Sequence, residues 1–261
     1  MPGRLEGKTI IITGAAQGLG LACANLAVAE GGRAVLLDIM GEKVAAAATA
    51  LRDAGHQALA LTCDVTAVDQ VAAALREAIA TFGGVDGVIC CAGAGALYDF
   101  LTVTEEQLDG SYRLNLKGTF FLCQMAARHM VETKRKGALV AISSTASEIA
   151  SGDMVPYSMS KSAVNGMVRA MAVALGPYGI RVNCVAPGTI QTPLLESGVS
   201  KGSKMERIML SRSPLGRIGD PAEVATAAIY LVSDEASYIT GQTLFADGGR
   251  TILGFVMPTP D

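Results

Sequence analysis

Short runs of aliphatic and β-branched residues alternate along this chain with longer stretches in which apolar residues recur at helical spacing. The runs typical of strands lie at 9–13, 34–38, 58–62, 87–91, 138–143, 181–186 and 243–246. The candidate helices lie at 18–30, 42–54, 67–82, 104–133, 155–176 and 221–233. This alternation predicts βαβ units, whose parallel strands are covered on both faces by the connecting helices. We therefore expect an α/β, doubly wound fold with a seven-stranded parallel sheet.

The sequence shows no low-complexity linker, short-period repeat or break in composition, so we expect one domain over 1–261. Between Pro187 and Pro221 the chain is rich in Gly, Ser and Pro, yet it carries the apolar residues Met205, Ile208, Met209 and Leu210. Such a long connection inside a compact domain is usually functional. We interpret about 188–220 as a substrate lid with a short helix; the alternative is a plain surface excursion.

Composition limits the partners of such a fold. Half of the residues are hydrophobic and 17% are charged, a surplus of apolar side chains for the core or for subunit interfaces. A net charge of −3 gives no cationic field for nucleic acid or an anionic membrane. No apolar run reaches the ~18 residues of a spanning helix, and residues 1–8 do not resemble a secretory signal. We expect a cytoplasmic protein with neither partner.

The cysteines and histidines do not indicate a metal site. The cysteines lie inside apolar segments, which is typical of reduced core thiols: Cys23, Cys63, Cys90, Cys91, Cys123 and Cys184. Cys90 and Cys91 are neighbours in a strand, so their side chains are expected on opposite faces. His56 and His129 stand far from each other and from any cluster of ligands.

A glycine-rich turn follows the first strand. Its pattern, Gly14-x-x-x-Gly18-x-Gly20, precedes a helix, so glycine backbone and helix amides converge where a pyrophosphate can bind. Asp38 ends the second strand at close to the ~20-residue spacing of a carboxylate that binds the adenosine ribose. Asp38 would also repel a 2′-phosphate, and neither Gln17, Ile39 nor Met40 supplies a cation. The sequence predicts NAD in preference to NADP.

Asp64 follows the third strand, at the carboxyl edge of the sheet. There its carboxylate could meet the adenine amino group. The alternative, an N-terminal cap for the next helix, is equally consistent with the sequence.

Tyr157 and Lys161 open the long helix at 155–176 and lie four residues apart, so they share a helix face. A lysine ammonium stabilises a phenolate, which makes the phenol a usable acid/base at neutral pH. Ser144 ends the fifth strand and can donate to a substrate oxygen as negative charge develops. This trio suits reduction of a carbonyl or oxidation of an alcohol.

In their order along the chain, these features resemble the short-chain dehydrogenase/reductase family. The matching residues are Thr13-Gly14-x-x-x-Gly18-x-Gly20, Asp38, Asp64, the run from Asn115 to Gly118, Ile142-Ser143-Ser144, Tyr157-x-x-x-Lys161, Pro187-Gly188 and Thr192. The resemblance spans nearly the whole chain and implies a single-domain, NAD(P)-dependent Rossmann fold.

The resemblance also implies roles. Tyr157 would be the general acid/base, Lys161 would hold the nicotinamide ribose and ease deprotonation of the phenol, and Ser144 would position the reacting oxygen. Asn115 would kink a helix and hold a water that links the lysine to bulk solvent. The expected cofactor site comprises Gly14, Gln17, Gly18, Leu19, Gly20, Asp38, Ile39, Asp64, Val65, Ala92, Gly93, Tyr157, Lys161, Pro187, Gly188, Ile190 and Thr192.

One position departs from the family pattern. The family usually has Asn-Asn-Ala-Gly after the fourth strand, whereas this chain has Cys90-Cys91-Ala92-Gly93. A buried thiol is a weak donor, so the side-chain hydrogen bonds of the asparagines are lost. Ala92 and Gly93 still permit close approach of a cofactor, and we expect binding and chemistry to survive.

The expected function is NAD-dependent interconversion of a secondary alcohol and a ketone by hydride transfer. A 3-oxoacyl-carrier-protein reductase-like enzyme is an alternative, although such enzymes commonly use NADPH and Asp38 disfavours it. A catalytically silent dinucleotide-sensing protein is another. Residues expected to border the substrate are mostly small or apolar: Ala94, Ser147, Ile149, Met154, Leu195 and Met209. They favour a hydrophobic or cyclic alcohol over a highly charged substrate, and because Glu148 and Asp153 could meet hydroxyl groups, a polyol or sugar stays open.

The helix at 155–176 is apolar on more than one face, and the helix at 104–133 has a similar excess. Helices of this kind are buried on both sides. We expect a homo-oligomer that packs through these helices, and the family resemblance implies a tetramer.

Overall fold

The computed structural model describes residues 3–196 and 199–256 of the chain, so residues 1–2, 197–198 and 257–261 of the expected domain lie outside the described residues. The sheet contains β1 Thr9–Thr13, β2 Arg33–Asp38, β3 Ala58–Thr62, β4 Gly87–Cys90, β5 Ala138–Ile142, β6 Arg181–Pro187 and β7 Thr243–Ala246. All neighbouring strands are parallel, in the order β3-β2-β1-β4-β5-β6-β7. The predicted α/β fold is confirmed, with each strand end within one residue of its expected place.

The helices among the described residues are α1 Gly18–Ala29, α2 Gly41–Asp53, α3 Val68–Phe82, α4 Glu105–Tyr112, α5 Gly118–Glu132, α6 Val155–Leu175, α7 Pro193–Glu196, α8 Lys204–Ser211 and α9 Pro221–Val232. On one face of the sheet, α1, α2 and α9 pack in one apolar cluster; on the other, α3, α5 and α6 pack in a second. Strand β1 shows why there is a cluster on each face. Alternate side chains of a strand point to opposite faces, so Ile10 and Ile12 belong to the first cluster and Ile11 to the second.

The sheet order reverses between β1 and β4, because the chain builds outward from β1 to β3 and then returns to the other side of β1. In open parallel sheets, ligands bind outside the carboxyl ends of the strands at such a reversal. The turns after β1, β4 and β5 open onto this edge, and they carry the glycine turn, Gly93 and Ser144.

The single helix expected at 104–133 is interrupted. Between α4 and α5 the backbone forms a π-helical turn at Arg113–Lys117. Asn115 lies in the middle of this turn and is buried, with its side chain bonded to neighbouring segments. Gly118 follows, packed so closely on Val65 that an added Cβ would lie 2.9 Å from the Val65 carbonyl oxygen. Helical periodicity continues through the turn, so the apolar pattern alone does not predict the interruption. It lies where the family resemblance implied a kink, at Asn115.

The segment after β6 leaves the sheet, and its two ends are hydrogen-bonded to each other. Gln191 N donates to the Gly219 oxygen at 2.8 Å, and Gly219 N donates to the Thr189 oxygen at 3.0 Å. The short helix expected in this segment is present as α8 and contains Met205 and Met209. The base of the segment is therefore fixed to the domain, while α8 lies on the excursion.

Candidate active site

The glycine turn packs directly against the end of β4. Gly14 has φ +65, and an added Cβ would lie 2.9 Å from Ala92 N. A Cβ on Gly20 would lie 2.1 Å from the Gly14 oxygen. Ala92 N in turn donates to Thr13 Oγ1 at 3.0 Å. Both glycines are required by close backbone approach, as in a turn that admits a dinucleotide.

Helix α1 starts at this turn without a side-chain cap. The N-cap residue is Gln17, and the first helical turn holds no acidic residue. Uncapped amides and the helix dipole favour an anion here. A Cβ on Gly18 would lie 3.7 Å from Thr192 Cγ2, so the start of the lid segment borders the same space. These features fit the pyrophosphate of a dinucleotide, and Leu19 packs behind the turn against the core.

Asp38 connects the turn to the end of β2. It is only 7% exposed; its Oδ2 accepts from Ala16 N at 3.0 Å, and its Oδ1 accepts from Met40 N at 2.9 Å. Ile39 is 67% exposed beside it. Lys43 Nζ donates to Gln17 Oε1 at 3.4 Å. This cation was not predicted, because only Gln17, Ile39 and Met40 were considered from the sequence; α2 brings Lys43 back to the turn.

Asp64 and Val65 follow β3 on the same edge. Asp64 Oδ1 accepts from Thr66 N at 2.8 Å, so one carboxylate oxygen closes a local turn. This contact does not cap the next helix, because α3 begins at Val68 with Ala67 as its N-cap and no side-chain cap, so the capping alternative is wrong. The second carboxylate oxygen of Asp64 can still contact a ligand. The Val65 side chain is buried in the core, which leaves its backbone as the part that can contact a cofactor.

Lys161 is held between β5 and Tyr157. The side chain is 4% exposed, its Nζ donates to the Ile142 oxygen at 2.8 Å, and it lies 5.7 Å from the centre of the Tyr157 ring. Ser143 Oγ donates to the Lys161 carbonyl at 3.2 Å. A buried ammonium needs a compensating partner, and a carbonyl oxygen leaves two of its protons for other acceptors.

Gly93 brings Asn115 and Lys161 together. An added Cβ at Gly93 would lie 2.9 Å from Asn115 Oδ1 and 3.3 Å from Lys161 Nζ. The Asn115 amide accepts from Ala94 N at 3.0 Å and donates to the Ala94 oxygen at 3.0 Å and to Ser160 Oγ at 3.1 Å. Asn115 therefore ties the loop after β4 to α6. Sequence reasoning did not identify Ser160, which the repeated serines of the Tyr157-Ser158-Met159-Ser160-Lys161 run could have suggested.

Ser144 precedes a 3₁₀ turn at Thr145–Ser147 and caps it. Its Oγ accepts from Ala146 N at 3.1 Å, which leaves the hydroxyl proton for another acceptor. Ser147, expected beside the substrate, has its hydroxyl bonded internally: it donates to the Ser144 oxygen at 2.7 Å and accepts from Asn165 Nδ2 at 2.9 Å.

Tyr157 packs against the loop after β4. A Cβ on Gly95 would lie 3.3 Å from Tyr157 Cδ2 and 3.2 Å from Met154 Cε. Sequence reasoning missed Gly95, although it lies in an alternating Ala-Gly run. Beyond it is a cavity of about 450 Å³ lined by Leu97, Tyr98, Asp99, Phe100, Gly152 and Asp153.

The other expected substrate residues lie around this loop and on the lid segment. The exposed Ala94 carries the backbone contacts to Asn115, and Ile149 is half-buried behind the 3₁₀ turn, with its N donating to the Thr145 oxygen. Leu195 and Met209 are half-buried on α7 and α8.

The expected nicotinamide segment follows β6. Gly188 N donates to the Ala246 oxygen at 3.0 Å, and an added Cβ at Gly188 would lie 2.8 Å from Asp247 Cα. Pro187 and Ile190 are buried, and Thr192 Oγ1 accepts from Leu195 N at 3.4 Å. Thr192 thus starts the lid helix α7 at the point where the lid meets the glycine turn.

The six cysteines are free thiols, and two pairs flank the end of β4. Cys90 Sγ lies 3.8 Å from Cys123 Sγ on one face, and Cys91 Sγ lies 3.9 Å from Cys23 Sγ on the other, as the strand geometry predicted. The partner thiol and burial raise the pKa of Cys90 and of Cys91 well above the ordinary thiol value. Within the described ranges, no group of three or more His, Cys, Asp and Glu side chains is placed to hold a metal ion.

The chain is similar to known proteins over almost its whole length. A family model described as enoyl-(acyl carrier protein) reductase matches residues 14–251. An L-rhamnose 1-dehydrogenase (NAD(P)(+)) of Azotobacter vinelandii is 37% identical, covering 93% of this chain and 96% of the relative. A 2,5-dichloro-2,5-cyclohexadiene-1,4-diol dehydrogenase of Sphingobium indicum is 36% identical, covering 95% and 99%. A solved 7α-hydroxysteroid dehydrogenase, complexed with NADH and 7-oxo glycochenodeoxycholic acid, has a TM-score of 0.90 at 35% identity, covering 94% of this chain and 95% of that chain.

Proposed function

The chain belongs to the short-chain dehydrogenase/reductase family, an oxidoreductase family acting on CH–OH groups, and on that premise we propose an NAD-dependent enzyme that interconverts a secondary alcohol and a ketone. The observation that carries this proposal is the buried Lys161 ammonium, held 5.7 Å from the centre of the Tyr157 ring. The Ile142 carbonyl takes one of the ammonium protons, and the charge of the others can stabilise a phenolate at Tyr157. Tyr157 is accordingly the proposed general acid/base.

Each catalytic residue has a distinct task in this proposal. Tyr157 takes the hydroxyl proton during oxidation and returns it to the carbonyl oxygen during reduction. Ser144 donates its free proton to the same oxygen, where negative charge develops. Asn115 fixes the loop after β4 against the helix that carries Tyr157 and Lys161. The nicotinamide cofactor, when bound, supplies the acceptor or donor of the hydride.

We propose NAD over NADP because of Asp38. Both of its oxygens are bonded to backbone amides, so the carboxylate is fixed at the adenosine end of the glycine turn. Lys43 opposes this preference, since its exposed ammonium lies beside Gln17. A buried carboxylate is screened less by solvent than an exposed ammonium, which supports NAD as the better cofactor and leaves weak NADP use.

We propose a hydrophobic or cyclic alcohol as the substrate, with a polyol as the second candidate. Met154, Ile149, Leu195 and Met209 supply apolar surface, and the solved relative binds a steroid acid. The rhamnose dehydrogenase supports the polyol. Ser147 contributes less than the sequence suggested, because its hydroxyl is bonded to Ser144 and Asn165. The segment at about 188–220 is the proposed lid over this space.

An acyl-carrier-linked substrate is a second function, favoured by the description of the matching family model. The cations Lys201, Lys204, Arg207 and Arg212 lie on or beside α8 and suit an acidic carrier. Such an enzyme is expected to use NADPH efficiently, which Asp38 opposes.

We also propose that the chain forms a homo-oligomer, a tetramer in the family arrangement, through α5 and α6. These helices and α4 line an apolar groove of about 690 Å³, formed in part by Phe120, Ala163, Met167, Ala170 and Met171. A second copy is the occupant most consistent with two apolar helices side by side. Light scattering at micromolar concentration should give a mass above one chain, and a monomer would refute this assembly.

The direct test is spectrophotometric. Purified protein with NAD and a panel of cyclic, steroidal and sugar alcohols is expected to form NADH, seen as absorbance of the reduced nicotinamide. Tyr157→Phe should abolish turnover while calorimetry still detects NAD binding. A folded, NAD-bound wild-type protein that oxidises none of these alcohols, and reduces none of the matching ketones, refutes the proposal and favours a dinucleotide sensor.

A further inference from the structure

We infer that Asn165 is a positioning residue that sets the catalytic Ser144 through Ser147. Asn165 is 3% exposed and lies on α6, one turn beyond Lys161. Its Nδ2 donates to Ser147 Oγ at 2.9 Å, and Ser147 Oγ donates to the Ser144 oxygen at 2.7 Å. A buried amide is thereby linked, through one hydroxyl, to the backbone of the residue that contacts the reacting oxygen.

The orientation of the Asn165 amide is determined by its other neighbours. Cys184 Sγ, on β6, donates to Asn165 Oδ1 at 3.4 Å. Glu148 Oε1 accepts from Asn165 Nδ2 at 3.5 Å. A thiol donor on one side and a carboxylate acceptor on the other place the amide nitrogen toward Ser147.

That orientation determines where the Ser147 proton goes. A hydroxyl has one proton and two lone pairs. Because Asn165 donates to Ser147, the Ser147 proton remains directed at the Ser144 carbonyl. The Ser144 backbone is then fixed while its own Oγ accepts from Ala146 N at 3.1 Å. Ser144 keeps its hydroxyl proton for the substrate oxygen, which is the geometry that oxyanion stabilisation needs.

Asn165→Asp is the sharpest perturbation, because it replaces the amide NH₂ with oxygen at nearly constant volume. The new carboxylate would attract the Ser147 proton and withdraw it from the Ser144 carbonyl. A matched control is Ser162→Ala, since the exposed Ser162 hydroxyl donates to the carbonyl of the same Ser147 at 2.9 Å without contacting Ser144. Ser147→Ala removes the hydroxyl that links Asn165 to Ser144, and it is the second variant to test if Asn165→Asp folds poorly.

The kinetic part of the test rests on the proposed function. Asn165→Asp and Ser147→Ala are each expected to lower kcat about tenfold, a fraction of the loss on removing a whole oxyanion donor, with KM for alcohol and NAD within about twofold. In a Ser144→Ala background, Asn165→Asp should cause no further loss, because it acts through Ser144. Ser162→Ala should keep wild-type kcat. The inference would be overturned if Asn165→Asp lowered kcat by the same factor in the wild-type and Ser144→Ala backgrounds. It would also be overturned if Ser162→Ala lowered kcat as much as Asn165→Asp.

A second readout does not depend on turnover. Amide hydrogen exchange followed by mass spectrometry should be faster in the peptide containing Ala146 for Asn165→Asp and Ser147→Ala, and unchanged for Ser162→Ala. Unchanged exchange in both linked variants would overturn the positioning role. If the wild-type enzyme oxidises no alcohol but exchange responds as expected, the proposed function fails and the positioning link stands.

Discussion

Gly93→Ala tests whether the loop after β4 holds the proposed catalytic residues by direct contact. The backbone of Gly93 is not in the left-handed region, so the substitution acts by contact alone. The new methyl would lie 2.9 Å from Asn115 Oδ1 and 3.3 Å from Lys161 Nζ. Neither atom moves freely, because Asn115 is bonded to both backbone groups of Ala94 and Lys161 is bonded to the Ile142 oxygen.

The magnitude follows from those contacts. Forcing a methyl into a packed site costs typically 1–3 kcal/mol, and stretching one Asn115 hydrogen bond costs about 1 kcal/mol. With a central loss of about 2 kcal/mol, a domain of this size should melt about 4–8 °C lower. A shift of the ammonium away from Tyr157 should also lower kcat by about 10- to 100-fold, since misplacement of about 1 Å costs that much.

The assay combines thermal unfolding by circular dichroism with initial rates of NADH formation. Gly110→Ala is the matched control: Gly110 lies inside α4, is outside the left-handed region and has nothing within 4 Å of an added Cβ. That variant should be stabilised by about 0.4–1 kcal/mol through the unfolded chain and keep wild-type kcat. A Gly93→Ala enzyme with wild-type Tm and kcat would refute the reasoning.

Three further predictions concern the cofactor, the thiols and the lid. Lys43→Ala should lower kcat/KM with NADP about fivefold, the effect of about 1 kcal/mol from one solvated charge, and leave the value with NAD unchanged; equal losses with both would contradict this. Cys91→Asn should keep kcat within tenfold but lower Tm, because a polar amide must replace the thiol beside Cys23; a hundredfold fall in kcat would be the contrary result. Arg217 lowers the pKa of Glu223 to about 2, so this ion pair stabilises the fold above the ordinary carboxyl pKa and is lost as the pH falls toward 2. NMR of the Glu223 carboxyl should show a higher titration midpoint in Arg217→Gln than in the wild type. An unchanged midpoint would exclude the ion pair as the cause of the lowered pKa.

The sheet could be predicted from the sequence because its signal is local. Strands buried on both faces are short continuous apolar runs, and helices between them have their own period. The glycine turn, Asp38 and the four-residue spacing of Tyr157 and Lys161 are also local patterns, so each could be assigned to one edge or one helix face. In the structure the glycine turn follows β1, Asp38 ends β2, and Tyr157 and Lys161 lie on α6.

The contacts between distant segments could not be predicted in this way. At the π-helical turn Arg113–Lys117, Asn115 bonds to Ser160 of α6, and the Gly118 that follows packs on Val65, beyond the end of β3. Lys43 reaches Gln17 only because α2 folds back beside the turn. Ser147 was expected beside the substrate because it follows Ser144 closely, but α6 presents Asn165 to its hydroxyl.

The sequence by itself determined the fold, the position of the glycine turn and the shared helix face of Tyr157 and Lys161, because periodicity and spacing are properties of neighbouring residues. The tertiary structure decided which acceptor each polar donor finds. Lys161 Nζ donates to the Ile142 oxygen, and Ser147 Oγ donates to the Ser144 oxygen. A buried polar group must find a partner wherever the packing places one. That partner comes from a different strand or helix, and only the assembled core specifies it.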